Sequence, residues 1–562
     1  MKSRWSIMMV FLVAVSLTVS VSCAAPITPA APTAPAETAP IPPAATEAAE
    51  SSAAQVQELI IAVAQDTTSL DPACSSPLNQ TTSMVYKAIY QTLVTNASDP
   101  PYAIEPDLAE SWEFSDDFMS LVFRLSQDAV FVNGDPVTAS DAAFSIERAR
   151  QGNPDIAESI SSVEVIDDFT LKLELHYADS AILNRLAAGT FSILNSKLVG
   201  SDPCSEEIDP SAGSGPYLID TREPGRIMLA RNENYSDDPD RLDFVVIDYV
   251  PDDATRAIML EQGDVDIALD LSTDTMSASG DDSLVEFADA TTRDLVFLEA
   301  NANYVDIDPE IGWLVSNQSF QAAIRYALDY GRYADLFAKG SVTPTSFVPI
   351  GFKEAAGEGI QRDLDTARQL LDEAGYKGQK VPLTYLLTPG NQMLAQAIQE
   401  DLDEAGLTIS LDARDAGLFF QLPYALRLSS FESSYLDADG SLTFLPGGYI
   451  ADRNGWKNEE LQKLREAIRT TTDANERWGL FQQAQSLTNK IGPYAFVVQP
   501  GIRYGYDSSI SGVSYHPQYT LTVAKFTYKV NCDQCKTWCS QNCSSKKCKK
   551  CAPSCSGVSS CP

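Results

Sequence analysis

The sequence predicts an α/β protein organised in two or three lobes, and three observations carry this. A chain of 562 residues is too long for one hydrophobic core. Strand and helix patterns alternate along it. An apolar run at Leu383 to Leu387 precedes a helix with Leu394, Ala397, Ile398 and Leu402 on one face. Gly406 ends that helix, and a second run follows from Thr408 to Leu411, the spacing of a βαβ unit. The hydrophobic fraction of 44% and aromatic fraction of 9% are those of a globular protein.

In chain order, Lys2 and Arg4 precede an apolar run from Ile7 to Val21, which is short for a membrane span and right for a signal-peptide core. Ser20-Val21-Ser22-Cys23 then resembles a bacterial lipobox, in which Cys23 becomes the lipidated first residue; an ordinary secretory cleavage nearby is the alternative. Residues 24 to 55 are rich in Ala, Pro and Thr and read as a semi-extended spacer, with a reach of up to about 100 Å at about 3.1 Å per residue. Leu59 to Val63 is the first strand of the globular part.

The stretch from Leu108 to Arg148 reads as two strands, a turn and a helix. Leu121, Phe123 and Leu125 alternate with Val122 and Arg124, and Val130-Phe131-Val132 is a second short run. Asn133-Gly134-Asp135-Pro136 is a turn, and Thr138 with Asp141 forms an acidic capping box before a helix carrying Ala139, Ala142, Ala143, Ile146 and Ala149 on one face. Further on, Leu295 to Leu298 reads as a strand crossing between lobes. Asp363 caps a helix ended by Gly375, Asp473 and Glu476 cap another, and Tyr494 to Val498 is a returning cross-strand.

Leu108, Ala109 and Trp112, then Asp117, the run Asn133 to Asp141 and Phe144-Ser145-Ile146-Glu147-Arg148 together resemble the signature of the family 5 extracellular solute-binding proteins of ABC importers, the oligopeptide, dipeptide and nickel receptors. Leu70-Asp71-Pro72, Ile89 to Val94 and Gly213-Ser214-Gly215-Pro216-Tyr217 resemble further parts of that family. The signature stretch itself reads as scaffold. The resemblance implies a two-lobe periplasmic-binding-protein-like fold of type II, in the large cluster with an extra subdomain, here followed by a Cys-rich C-terminal tail. The expected divisions are signal peptide 1–22, linker 23–56, body 57–530 and tail 531–562. Within the body, lobe I takes about 57–90, 205–294 and 499–530, the inserted subdomain about 91–204, and lobe II about 295–498.

Catalysis finds little support. The chain has two histidines, His176 and His516, and shows no HExxH helix, GxSxG elbow or P-loop. A His-based triad or metal centre is therefore not expected, and neither a metal nor a cofactor is assigned. A net charge of −37 argues against nucleic acid, whose phosphates would be repelled.

The resemblance implies a ligand site. In the family a Trp-x-x-Asp-Tyr-x-Asp-Pro motif follows the βαβ unit, and its first Asp holds a peptide's α-ammonium. The matching stretch is Ser433 to Leu442, with Asp437 in the place of that Asp and Asp439 as the second acid; the Trp is missing and Gly440 replaces the Pro. A buried ammonium needs a paired carboxylate. Tyr435, Phe419 and Phe420 are candidate pocket walls or core.

Besides Cys23, ten of the eleven cysteines remain to be placed. Cys74 and Cys204 suit a disulfide in an exported body. Cys532, Cys535, Cys539, Cys543, Cys548, Cys551, Cys555 and Cys561 suit a disulfide-stapled module of undetermined connectivity, with a zinc site from Cys532, Cys535, Cys548 and Cys551 as the alternative. The expected protein is a monomeric lipid-anchored receptor outside the cytoplasm. It captures a peptide or similar solute and delivers it to an ABC permease and its ATPase subunits. A solute sensor or scaffold uncoupled from transport is the alternative, and a secreted peptidase a distant third.

Overall fold

The computed structural model describes residues 57–74, 79–204, 208–235, 241–272, 285–355 and 357–528. The signal segment with Cys23, the linker and the tail with its eight cysteines lie outside the described residues.

Three sheets organise the body. The first has seven strands, with Glu58–Val63 near its centre because both its faces are apolar; it runs parallel to Phe244–Tyr249 on one side and Ile267–Ala268 on the other. Tyr217–Glu223 and Arg226–Arg231 extend one edge, and Gly501–Asp507 and Val285–Thr291 the other. The second sheet has five strands. Its expected βαβ unit is present, with Val381–Leu386 parallel to Ile409–Arg414 through the helix Pro389–Glu404. Leu295–Ala300 is buried at every position and lies between Leu426–Phe431 and Tyr494–Val498, antiparallel to both. The chain thus enters lobe II beyond Thr291 and leaves it beyond Val498. Gln499 ties these two crossings together, its Nε2 donating to the Thr292 and Ile350 carbonyls.

The third sheet, of Ala109–Phe114, Ser120–Leu125, Ile160–Asp167 and Thr170–Leu175, forms the subdomain core with the helix Ala139–Gly152. The capping box closes as expected, Thr138 N–H donating to Asp141 Oδ2 at 3.0 Å. Val130 to Val132 is not a second strand. Val130 makes only an isolated bridge to Pro136, because the chain turns back at Gly134 with φ +85° before a ladder can grow.

The family-like segments meet in space. Arg148, at the end of the Phe-Ser-x-x-Arg run, makes a two-pronged ion pair with Asp71 of the Leu-Asp-Pro loop, both contacts 2.9 Å and both side chains buried. Beside it Cys74 and Cys204 form a disulfide, and Asp71 Oδ2 also accepts from Cys204 N–H. Gly213 and Gly215 pass so close to Ile89 that a Cβ would lie 2.2 and 2.4 Å from its backbone, which is why glycine stands at both.

Candidate functional site

The site follows from strand register. Leu295 pairs with Phe431 across antiparallel strands, so the next residues outward, Asp294 and Glu432, stand opposite each other where the sheet ends and the cleft begins. Like charges placed so repel, and leaving water adds to the penalty. Burial first and Asp294 second push the Glu432 carboxyl well above its ordinary range. Burial, with Asp270 adding to it, pushes Asp294 up to about 6 against the opposing hydrogen bond from Thr292. Asp270 is itself raised by burial. Neither Asp294 nor Glu432 has a basic side chain as ion-pair partner among the described residues.

Glu432, Ser433 and Ser434 form a wall shared by two cavities. One, of about 30 Å³, lies against Tyr86, Lys87, Gly189 and Tyr519, so lobe I, the subdomain and lobe II all contribute. That is room for a water or two. The other, of about 410 Å³, lies between the subdomain residues Asp155, Glu158 and Arg185 and the lobe II residues Tyr435, Asp439, Arg465 and Arg469. Its volume is in the range of small-molecule sites.

The residues expected from the sequence fall in three places. Asp439 and Tyr435 line the larger cavity. Asp439 Oδ2 accepts from Arg185 Nη2 at 2.6 Å and from the Tyr435 hydroxyl at 2.8 Å, while its buried Oδ1 has no hydrogen-bond partner among the described residues. Burial works to raise this carboxyl, but Arg185 and Arg477 outweigh it and hold it below the usual range. Asp437 lies outside both linings and caps the short helix Ala438–Phe444. Its Oδ1 accepts from Arg477 Nη2 at 2.6 Å and from Asp439 N–H at 2.8 Å, and its Oδ2 from Asn184 at 3.0 Å. Phe420 is 72% exposed on the helix Ala416–Gln421, outside both linings, and its neighbour Phe419 is buried beneath Arg427. Asp294 and Glu432 escape a sequence reading because the register joining segments so far apart is not written locally. Asp294 directly precedes the apolar run Leu295 to Leu298, while nothing around Glu432 marks it locally.

Catalytic geometry is not evident. His176 is exposed just past the end of its strand. His516 is buried, its ring accepting from the Gln518 and Tyr519 N–H groups, and burial lowers its pKa to about 4. Among the described residues no group of three or more His, Cys, Asp or Glu side chains is placed to hold a metal ion, and no helix is long and apolar enough to cross a membrane.

Known proteins share this architecture. The fold matches the ABC transporter substrate-binding protein CtaP of Listeria monocytogenes with a TM-score of 0.73 at 21% identity, over 84% of this chain and 99% of that one. The ABC transporter-associated periplasmic binding protein DppA of Helicobacter pylori, solved with the peptide STSA, gives 0.70 at 20% identity, over 84% and 98%. In sequence, the chain is 24% identical to the probable D,D-dipeptide-binding periplasmic protein DdpA of Escherichia coli, over 82% of this chain and 92% of that protein. It is 26% identical to the dipeptide-binding protein DppE of Bacillus subtilis, over 74% and 82%. The model of the bacterial extracellular solute-binding proteins, family 5, matches residues 103–451. A match over that much of the chain, on a three-sheet body with a charged cleft, establishes that the protein belongs to family 5 of the bacterial extracellular solute-binding proteins.

Proposed function

We propose that the protein is the receptor of an ABC importer, lipid-anchored through Cys23, that captures a peptide or similar small solute bearing an amino group and passes it to the permease. The observation that carries the ligand class is Glu432. Among the described residues it is a carboxyl group without a basic ion-pair partner, in the wall common to both cavities, pushed toward its neutral form by burial and by Asp294. An ammonium placed there replaces the missing counter-charge and relieves the repulsion. Asp439 Oδ1 offers a second acceptor and Tyr435 an aromatic wall. Asp437, whose charge Arg477 already neutralises, holds the loop that carries Asp439, and Phe420 lies outside both cavities. The relatives whose names specify dipeptides support a short peptide.

The test is mass spectrometry of small molecules released from the purified protein, followed by calorimetry of the identified compound against wild type and Glu432→Gln. An amine-bearing ligand losing about 30-fold or more in affinity is expected, since removing one partner of a buried charge pair costs about 2–5 kcal/mol. An anionic ligand without an amine, or unchanged affinity, would overturn the assignment.

A further inference from the structure

The inserted subdomain meets lobe II through contacts that involve no ligand. Arg185, on the subdomain helix Ile182–Leu186, has a side chain only 3% exposed. It bridges Asp179 of its own subdomain, at 3.1 Å, and Asp439 of lobe II, at 2.6 Å. Its guanidinium lies over the ring of Tyr435, 4.6 Å from the centroid, and Tyr435, although a lobe II residue, packs into the subdomain's apolar core. Asn184 on the same helix donates to Asp437 at 3.0 Å. Arg469, on the lobe II helix Glu459–Thr470, pairs with Glu158 and the Tyr177 hydroxyl of the subdomain. A backbone bond crosses as well, Ser180 N–H donating to the Arg469 carbonyl at 3.2 Å.

Opening the cleft by swinging lobe II away removes all of these together. Asp439 loses its hydrogen-bonded counter-ion, Arg185 keeps Asp179 and the more distant Glu158 of its own subdomain, and Tyr435 leaves an apolar bed for water. Parting a buried, hydrogen-bonded ion pair is costly because each charge is left incompletely compensated. The closed arrangement therefore has a source of stability independent of solute.

We propose that the inserted subdomain is a clasp: through Arg185, Asp439 and Tyr435 it holds lobe II closed in the ligand-free protein, and ligand enters only when this clasp releases. This goes beyond the capture function, and it is tested without any ligand. Differential affinity of a ligand for open and closed forms then sets how far it shifts a balance that already favours closure.

Hydrogen exchange on the full chain, stripped of small molecules by reversible denaturation, reads the clasp directly. The Ser180 amide reports the interlobe bond. The His176 amide, which donates to Ser159 within the subdomain, reports whether the subdomain is folded. In wild type both are expected to be protected. In Asp439→Asn, Ser180 protection is expected to fall by about 30-fold or more while His176 stays unchanged. If Asp439→Asn unfolds the subdomain, Arg185→Lys decides: it keeps the charge but loses the planar fork and the stacking, and a fall at Ser180 alone supports the clasp. A Ser180 amide that exchanges freely in ligand-free wild type overturns the proposal, as does equal protection in wild type and a folded variant.

Discussion

Asp294 and Glu432 face each other because Leu295 pairs with Phe431, and that juxtaposition gives the cleft its titration behaviour. Asp294 titrates near 6 in the folded protein against an ordinary value of 3.8. The folded state therefore holds this proton more tightly than the unfolded state. Its contribution to stability is fully present below about pH 4 and is lost as the pH rises through about 6. Asp294→Asn, which never ionises, is expected to be more stable than wild type at pH 7 by up to about 3 kcal/mol, with the difference shrinking to near zero at pH 4. Urea unfolding at pH 4 to 7 checks this; a constant offset across that range would show that the charge is not responsible. The same substitution is expected to weaken an amine-bearing ligand, because it removes half of the negative field that selects it. Asp437→Asn belongs to a different class: its oxygens serve Arg477, Asn184 and the Asp439 N–H. It is expected to lower the melting temperature more than it changes affinity for such a ligand.

At the scale of elements, the family signature acts by joining pieces rather than by touching ligand. The helix Ala139–Gly152 ends in Arg148, which reaches the loop after the first strand and binds Asp71 with both prongs. That contact helps to fix the subdomain to lobe I, with the Cys74–Cys204 disulfide and the bond from Asn153 to the Ala73 carbonyl alongside. Arg148→Met leaves Asp71 buried without its counter-ion, so a loss of about 3–5 kcal/mol is expected, read as a lower denaturant midpoint. Because neither Arg148 nor Asp71 lines either cavity, and the Tyr86 hydroxyl bonds the Asp71 carbonyl rather than the paired side chains, affinity per folded molecule is expected to hold. The turn at Gly213 to Pro216 makes a complementary point. A Cβ at Gly215 would lie 2.4 Å from the Ile89 carbonyl carbon. Gly215→Ala must therefore displace backbone, and it is expected to destabilise the fold although no side-chain contact is lost.

For the whole molecule, the described fold closes with the strand Thr527–Tyr528, which pairs with Ile510–Ser511, while the Tyr528 hydroxyl donates to the Glu58 carbonyl of the first strand. Truncation after Val530 removes the eight tail cysteines and none of these contacts. It is expected to leave the melting temperature and ligand affinity of the body nearly unchanged, which differential scanning calorimetry and calorimetric titration check; a large loss would mean that the tail packs on the body. Cys23→Ser is expected to release the protein from membranes or leave it unprocessed, as fractionation would show. The clasp adds a global expectation, since a receptor closed at rest admits solute at the rate its clasp opens.

Local chemistry in the sequence determined much of this protein. Capping residues, terminal glycines and apolar periodicity placed the helices at Ala139–Gly152, Pro389–Glu404 and Ala474–Ile491 and the cross-strands at Leu295–Ala300 and Tyr494–Val498, because those signals act over a few residues. The motif from Leu108 to Arg148 pointed to the family for the same reason. The site was only partly legible. Tyr435 and Asp439 stood out as an aromatic and an acid in the matching loop, and both line the larger cavity. Nothing local distinguishes Asp437, neutralised by Arg477 forty residues on, from an acid awaiting a ligand. Nor does anything local reveal that Asp294 and Glu432 oppose each other, or that Arg185 of the subdomain meets Asp439 of lobe II. Those pairings arise where segments more than a hundred residues apart are brought together, and burial there decides whether a charge is compensated or left for a partner. Only the tertiary structure settles that, because desolvation and register are properties of the packed chain.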